Sequence, residues 1–444
     1  RQVYVLDAMV KAQMITQEQR DEAVAEKLTF AGRTPPNGCV DASGATDGWG
    51  FFCDYLRRWW QAQPQFGATA EERDNALRRG GYTVVTTLDP EVQKTAAAQA
   101  RAVYSIKSDK VLPIAAVQPG TGKVLALAVN RKYGTGTAAG ETVNPLISGG
   151  SGLHGYQAGS TFKMFTMLAA LEAGLPLDTG FTSPSRLPTR WSDSGPESCN
   201  GQWCPANANP SWMDGDRTMW NGFGRSVNTY FVQLEEQIGP AAVVAMAQKL
   251  GISLSAPSDA AMARDNADAW GSFTLGVAAT TPLELASAYA AVAAEGTYCA
   301  PLPVASITGP DGAKVPVASN CQRVISEDVA RAATDAARCP VGQQSSFRRC
   351  DGGTAEQVDR IMGGRPVAGK TGSTDDNSTE TFAGFTRSVA AAGIAADPTN
   401  PANHVGSAVQ REVINAVART IRTATGGEPY GNFVAPSRQV ALGE

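Results

Sequence analysis

Histidine is almost absent from this chain: only His154 and His404 occur among 444 residues. No Cys-x-x-Cys pair occurs either, so the common ligand patterns for zinc are missing. No apolar run reaches the ~20 residues that span a bilayer, and the N-terminus, which starts at Arg1, carries no export signal. A formal net charge of -4 gives no basic footprint for nucleic acid. Internal repeats and low-complexity tails are missing too. The apolar fraction of 43% is that of a globular chain and excludes disorder as a class. Such a length accommodates one large domain or two medium ones around a full core.

What the sequence does hold is eight cysteines in near pairs: Cys39 and Cys53, Cys199 and Cys204, Cys299 and Cys321, Cys339 and Cys350. These read as four local disulfides made in an oxidising compartment. A zinc site helped by the two histidines, or free buried thiols, are the alternatives. Disulfides without an export signal imply a fragment whose missing N-terminal part carried the signal or a membrane anchor.

Along the chain, Val3 to Leu28 reads as helices, with Thr16 and Gln19 forming a capping box ahead of the second. Residues 29–50 are loop-like, and Phe51 to Gln63 suits a short aromatic helix. Tyr82 to Leu88 alternates as a strand does, and Asp89-Pro90 opens an alanine-rich helix. Ile114 to Val117 and Val124 to Val129 flank a Pro-Gly turn and predict a hairpin. Further strands are expected near 381–384 and 390–395, and a periodic helix over Val409 to Ile421. Strands early and late with helices between them predict an α+β fold, an antiparallel sheet flanked by helices.

Three short motifs carry chemistry. In Ser160-Thr161-Phe162-Lys163, a lysine one helical turn after a serine can take the hydroxyl proton, provided it is neutral. Burial and nearby positive charge push a lysine that way. Gly155, Ala158 and Gly159 suit a tight entry to a helix N-terminus, whose dipole favours developing negative charge. In Ser226-Val227-Asn228, the hydroxyl can relay a proton and the amide can bond a substrate amide. In Lys370-Thr371-Gly372-Ser373, a strand edge brings a lysine and two hydroxyls that can hold a carboxylate, with Gly372 where something approaches closely. The Ser160 and Ser373 N–H groups can pair as an oxyanion hole. Each motif alone is weak, since a solvated helix turn, an N-cap or a surface turn would look the same.

Together and in this order, they are the set of penicillin-binding proteins and class A β-lactamases. The chain resembles the transpeptidase domain of a class A, bifunctional penicillin-binding protein. Gly81–Pro90 looks like the segment that opens such domains, Val117–Val124 like their first hairpin, and Thr274–Val277 with Thr281–Tyr289 like the stretch between the second and third motifs. Val367–Asn377 is similar to the third motif with its flanks, and Tyr4 to Leu28 resembles the linker after a glycosyltransferase domain. The acidic motif of that glycosyltransferase is absent. Departures are Ala158 and Met164, where the family often has proline, Ser373 in place of threonine, and the less aromatic run Thr381–Phe385.

The resemblance implies a penicillin-binding-protein/serine β-lactamase-like transpeptidase fold. It implies residues 1–80 as interdomain region, 81–435 as transpeptidase domain and 436–444 as a C-terminal tail. It implies D,D-transpeptidase chemistry at the outer face of the bacterial cytoplasmic membrane. Ser160 is then the nucleophile, with Lys163, Ser226, Asn228 and Lys370 catalytic and Thr371, Gly372 and Ser373 binding substrate. The partners implied are D-Ala-D-Ala stem peptides with an acceptor amine, β-lactams as covalent inhibitors, and wall-assembly proteins. No cofactor and no metal is called for, and the membrane enters only through the missing anchor. A β-lactamase, which needs a glutamate to activate deacylating water, and a non-crosslinking β-lactam sensor are the rival readings. Trp203, Trp212 and Trp220 lie between the first two motifs and are candidates to line the cleft. His154 reads as structural, and the cysteine loops as either braces at the site mouth or remote staples.

Overall fold

The computed structural model describes residues 2–26, 38–42, 48–134, 140–149, 153–195, 198–400, 403–426 and 431–444. Two compact units emerge, 1–38 and 39–444. The first holds two helices, Gln2–Lys11 and Gln17–Ala25. The second helix starts at the expected Thr16 capping box, and Arg20 on it pairs with Asp7 at 2.8 Å. Lys27, Leu28 and most of the 29–50 loop lie outside the described residues; Cys39–Ala42 forms one helical turn.

The second unit is built on a five-stranded antiparallel sheet. Its strands are β1 (Ile114–Val117), β2 (Val124–Ala128), β3 (Ala368–Ser373), β4 (Glu380–Phe385) and β5 (Ala390–Ala395), in the order β3-β4-β5-β1-β2. The six principal helices of the unit are α1 (Pro90–Val103), α2 (Lys163–Glu172), α3 (Asn228–Ile238), α4 (Pro282–Ala293), α5 (Glu327–Ala337) and α6 (Gln410–Ala424). Side chains alternate along each strand, so the sheet feeds two cores. Ile114, Ala116, Phe382, Ala391 and Ala395 meet α1 and α6. Ala115, Val117, Ala383, Phe385 and Ile394 meet the layer that contains α2 to α5. The alanine and glycine content of the strands sets how closely the helices lie: a Cβ on Gly393 would come 2.7 Å from Val417 Cγ2 on α6. The α+β class and the antiparallel sheet are as expected, and β3 is an edge strand, as the third motif required.

Tyr82 to Leu88 does form a strand, Thr83–Thr86, but in a separate three-stranded sheet with Val304–Thr308 and Lys314–Val315. Residues 49–66 dock there. The helix Trp49–Gln61 buries Trp60, whose ring stacks on Phe66 at 3.6 Å and meets Tyr82 edge-on at 5.1 Å, over Val304 and Ile307. The 436–444 segment also docks: Arg438–Leu442 is a short helix with Ala441 buried, and Leu177 N–H donates to the Val440 carbonyl. All eight cysteines are paired as expected, Cys39–Cys53, Cys199–Cys204, Cys299–Cys321 and Cys339–Cys350, which disposes of the zinc and free-thiol alternatives for them. Because Trp60 is fully buried in an aromatic cluster, Trp60→Ala is expected to cost about 3–5 kcal/mol. A chemical denaturation curve measures this, with Val85→Ala, half exposed, as a control within ~0.5 kcal/mol of wild type. Equal midpoints for both variants would show that residues 49–66 do not unfold with the domain.

Candidate active site

The first motif sits where a tight turn becomes a helix. Gly159–Phe162 is a 3-10 turn that runs directly into α2, which starts at Lys163, so Ser160 and Lys163 are one turn apart. Gly159 holds a φ of +57°, in the left-handed region that favours glycine. Its Cα lies against the Ser373 backbone on β3, and Gly276 in turn lies against Gly159, whose N–H donates to the Gly276 carbonyl at 3.3 Å. These bare backbones let the Ser160 turn, the edge strand and the 273–276 turn meet without side chains between them. Gly372 serves the same contact: a Cβ there would collide with the Ala158 carbonyl.

Lys163, one helical turn on from Ser160, is fully buried. Its Nζ donates to the Ser226 carbonyl and to Asn228 Oδ1, both at 2.7 Å, and Ser226 Oγ lies 3.3 Å away. Ser226 adopts φ +61°, uncommon for a serine, and this turn aims both its carbonyl and its hydroxyl at the amine. Desolvation, and next the positive charge of Lys370, hold the Lys163 pKa well below the usual lysine value. A neutral amine has two hydrogens and one lone pair. The two short acceptors account for the hydrogens, so the lone pair is left to receive a hydroxyl proton. Lys370, also fully buried, donates to the Thr371 carbonyl at 3.0 Å, and desolvation lowers its pKa to about 7. The Phe231 and Phe223 rings lie 5.8 and 5.5 Å from the Nζ atoms of Lys163 and Lys370 and supply the apolar surroundings.

Ser160, Asn228 and Ser373 line one cavity of about 360 Å³, together with Gln157, Arg186, Trp203 and Cys204. Asn228 Nδ2 donates to the Ala206 carbonyl at 2.8 Å, which leaves its second amide hydrogen for a ligand. Thr371 is buried away from this cavity, its Oγ1 hydrogen-bonded to Thr354 Oγ1 at 2.7 Å. Of the three candidate tryptophans only Trp203 lines the cavity. Trp220 is buried and donates to Asp335, and Trp212 packs under Arg225. Both histidines line an adjoining cavity of about 640 Å³ with Asp259, Asp375 and Asp376. Among the described residues no group of three or more His, Cys, Asp or Glu side chains is placed to hold a metal.

The cysteine loops divide between the two readings given them. Cys204 lines the cavity beside Trp203. Cys339–Cys350 stands behind the Ser226 turn, where Gly224 packs on Cys339 and Arg225 Nε donates to Asp351 at 3.1 Å. The other two disulfides are local staples that do not line this cavity: Cys299 and Cys321, for example, face each other across a two-stranded ribbon. Sequence reasoning missed Gln157, Arg186, Gly276, Glu380 and Gln410. The signal for Glu380 was present, an acid opening an otherwise apolar strand. Gly372→Ala is expected to force β3 away from the Ser160 turn. Covalent labelling of Ser160 by a fluorescent acylating probe should slow at least tenfold while the circular-dichroism spectrum keeps its shape. Unchanged labelling would show that the Gly372 contact does not set the site.

A sequence model of the penicillin binding protein transpeptidase domain matches residues 113–419. The chain is 30% identical over 285 residues to the peptidoglycan D,D-transpeptidase PbpA of Mycolicibacterium smegmatis, a match covering 58% of this chain and 55% of that protein. It is 27% identical over 403 residues to penicillin-binding protein 1A of the same organism, covering 88% of this chain and 45% of that one. The chain therefore spans about half the length of these relatives. Among solved structures, penicillin-binding protein 1A of Haemophilus influenzae superposes with a TM-score of 0.68 at 16% identity, covering 98% of this chain and 77% of that one. PonA1 of Mycobacterium tuberculosis in complex with penicillin V superposes with a TM-score of 0.64 at 22% identity, covering 91% of this chain and 96% of that one. All three motifs fall inside the matched span, and the chain belongs to the penicillin-binding-protein transpeptidase domain family.

Proposed function

We propose that this chain crosslinks peptidoglycan stem peptides through an acyl-enzyme on Ser160. The observation that carries the reading is the fully buried Lys163, hydrogen-bonded to the second motif and one helical turn from a serine that opens onto a cavity. Ser160 Oγ attacks the carbonyl of the penultimate D-alanine, and Lys163 receives its proton. The N–H groups of Ser160 and Ser373 stabilise the oxyanion. The C–N bond breaks and terminal D-alanine leaves, protonated through Ser226 with Lys370 behind it. Asn228 holds the peptide backbone. Lys370 and the hydroxyls of Thr371 and Ser373 bind the terminal carboxylate, Thr371 by leaving its bond to Thr354. The amine of a neighbouring stem peptide then attacks the ester, forms the amide crosslink and frees Ser160. β-Lactams present the same carboxylate and carbonyl and stop at the acyl stage.

In this reading residues 1–80 are the interdomain region after a glycosyltransferase domain, 81–435 the transpeptidase domain and 436–444 its tail. The protein works at the outer face of the bacterial cytoplasmic membrane with wall-assembly partners, held by an anchor outside this sequence. No helix among the described residues is long and apolar enough to cross a membrane.

Incubation with benzylpenicillin should add one penicilloyl mass to the tryptic peptide containing Ser160, and none to Ser160→Ala. Unmodified peptide from folded protein would sink the proposal. A persistent adduct rules against a β-lactamase, and exchange of D-amino acids into a thioester substrate separates a crosslinker from a sensor. Lys370 titrates from charged to neutral as pH rises through about 7, while burial and the Lys370 charge push the Lys163 amine toward its neutral form. Acylation by a carboxylate-bearing β-lactam should therefore decline on that rise. Lys370→Arg, which keeps its charge, should make the decline shallower; an unchanged profile would remove Lys370 from carboxylate binding.

A further inference from the structure

Ser373, the third-motif serine, is held from behind by a buried acid. Its Oγ donates to Glu380 Oε2 at 2.6 Å. Gln410 Nε2 at the start of α6 donates both to Ser373 Oγ, at 2.6 Å, and to Glu380 Oε2, at 3.0 Å. Glu380 is fully buried at the register position opposite Ser373, with Ala395 opposite it on the other side. Its second oxygen, Oε1, is buried with no hydrogen-bond partner in the structure. The groups facing this acid are Ser373 from β3 and Gln410 from α6, both uncharged, and the Tyr104 hydroxyl just past α1, which is also buried without a partner. No cation compensates it among these.

A serine hydroxyl has one hydrogen and two lone pairs. While Glu380 is ionised, its carboxylate takes that hydrogen and Gln410 takes one lone pair. Ser373 then shows the cavity only acceptor character, which repels an anion. If the hydroxyl turned to donate to a ligand carboxylate, Glu380 would be left as a buried charge with Gln410 as its one donor, a costly state. A proton resolves both conflicts. Protonated Glu380 donates to Ser373 Oγ, and the serine hydrogen is released toward the ligand.

We propose that Glu380 is a positioning residue of the carboxylate subsite, taking up one proton from solvent as an anionic group seats against Ser373 and so making Ser373 a donor selective for that anion. The inference rests on the transpeptidase reading, with the carboxylate of stem peptide or β-lactam as the anion. Burial places the Glu380 pKa at about 7, so both forms are within reach near neutrality.

The test compares the free acid and the methyl ester of one penicillin, as the ratio of their second-order rates of Ser160 acylation across pH 6 to 9. In wild type the acid-to-ester preference should fall as pH rises. In Glu380→Gln, where no proton is taken up, it should fall less steeply, so that the two profiles diverge by about tenfold per pH unit above 7. Lys370 is common to both proteins and cancels. In a Ser373→Ala background Glu380→Gln should no longer alter the ratio. Parallel profiles in wild type and Glu380→Gln, or an undiminished difference after Ser373→Ala, overturn the proposal. If Glu380→Gln fails to fold, proton uptake by Lys370→Arg in weak buffer decides: one more proton per acid than per ester supports it, and equal uptake overturns it. If neither compound acylates Ser160, the transpeptidase reading fails by itself. The proposal is then judged with D-alanyl-D-alanine, which should induce the infrared band of a protonated carboxyl that Glu380→Gln lacks; no induced band overturns it.

Discussion

The placement of Lys163 Nζ between the Ser226 carbonyl and Asn228 Oδ1 is the contact on which the rest of this molecule turns. It joins the first and second motifs, 63 residues apart, and it works only if the amine is neutral, since a buried ammonium would leave charge uncompensated. The apolar packing around it is therefore chemistry as well as structure. Phe223 and Phe231 exclude water, and Lys370 adds like charge; both favour the unprotonated amine. The αL turn at Ser226 is the local strain that this contact demands. Cys339–Cys350 and the Arg225–Asp351 pair stand directly behind that turn and hold it.

Close backbone approach is the second constraint. Two turns and an edge strand that line the site touch through Gly159, Gly276 and Gly372, where any side chain would separate them. The sheet repeats the pattern on a larger scale. Its strands are rich in alanine and glycine, so α6 on one face and α4 on the other lie close, and the edge strand β3 is fixed against the Ser160 turn by the layers beneath it. One side of the β3 backbone is unpaired within the sheet, which supports the extended peptide substrate proposed for the site.

Much of this was legible in the sequence, for physical reasons. The Ser160–Lys163 spacing places two groups on one helical face whatever the rest of the chain does. The near pairs of cysteines are local, so spacing alone matched all four disulfides. The apolar runs and the turn residues between them located β1 and β2. What stayed hidden depends on tertiary packing. Trp203 and Trp220 look alike in sequence, yet one lines the cavity and the other fills the core. The docking of Trp60 on the small sheet joins residues far apart in the chain, and nothing local announces it. Thr371 follows Lys370 and looks equivalent to Ser373, but the structure pairs it with Thr354. Gln410 reaches Ser373 only because α6 packs across the sheet.

The titrating groups of the site also act on stability, and their signs combine. Lys370 has a folded pKa of about 7 against an ordinary value of 10.5. The unfolded chain binds more protons between those values, so this lysine costs most below about pH 7 and its cost fades as pH rises above it. Glu380 is raised from 4.5 to about 7. There the folded chain binds more protons, so its cost grows from pH 4.5 and is complete above about 7. The two costs overlap around neutrality. The combined cost of these two groups is therefore greatest where both stand between their charged and neutral forms, which is also where each can exchange a proton with a ligand. The alanine-packed cores, the disulfide behind Ser226 and the one beside Trp203 offset that cost, and they allow a pair of buried, half-titrated groups to persist beneath an open cavity.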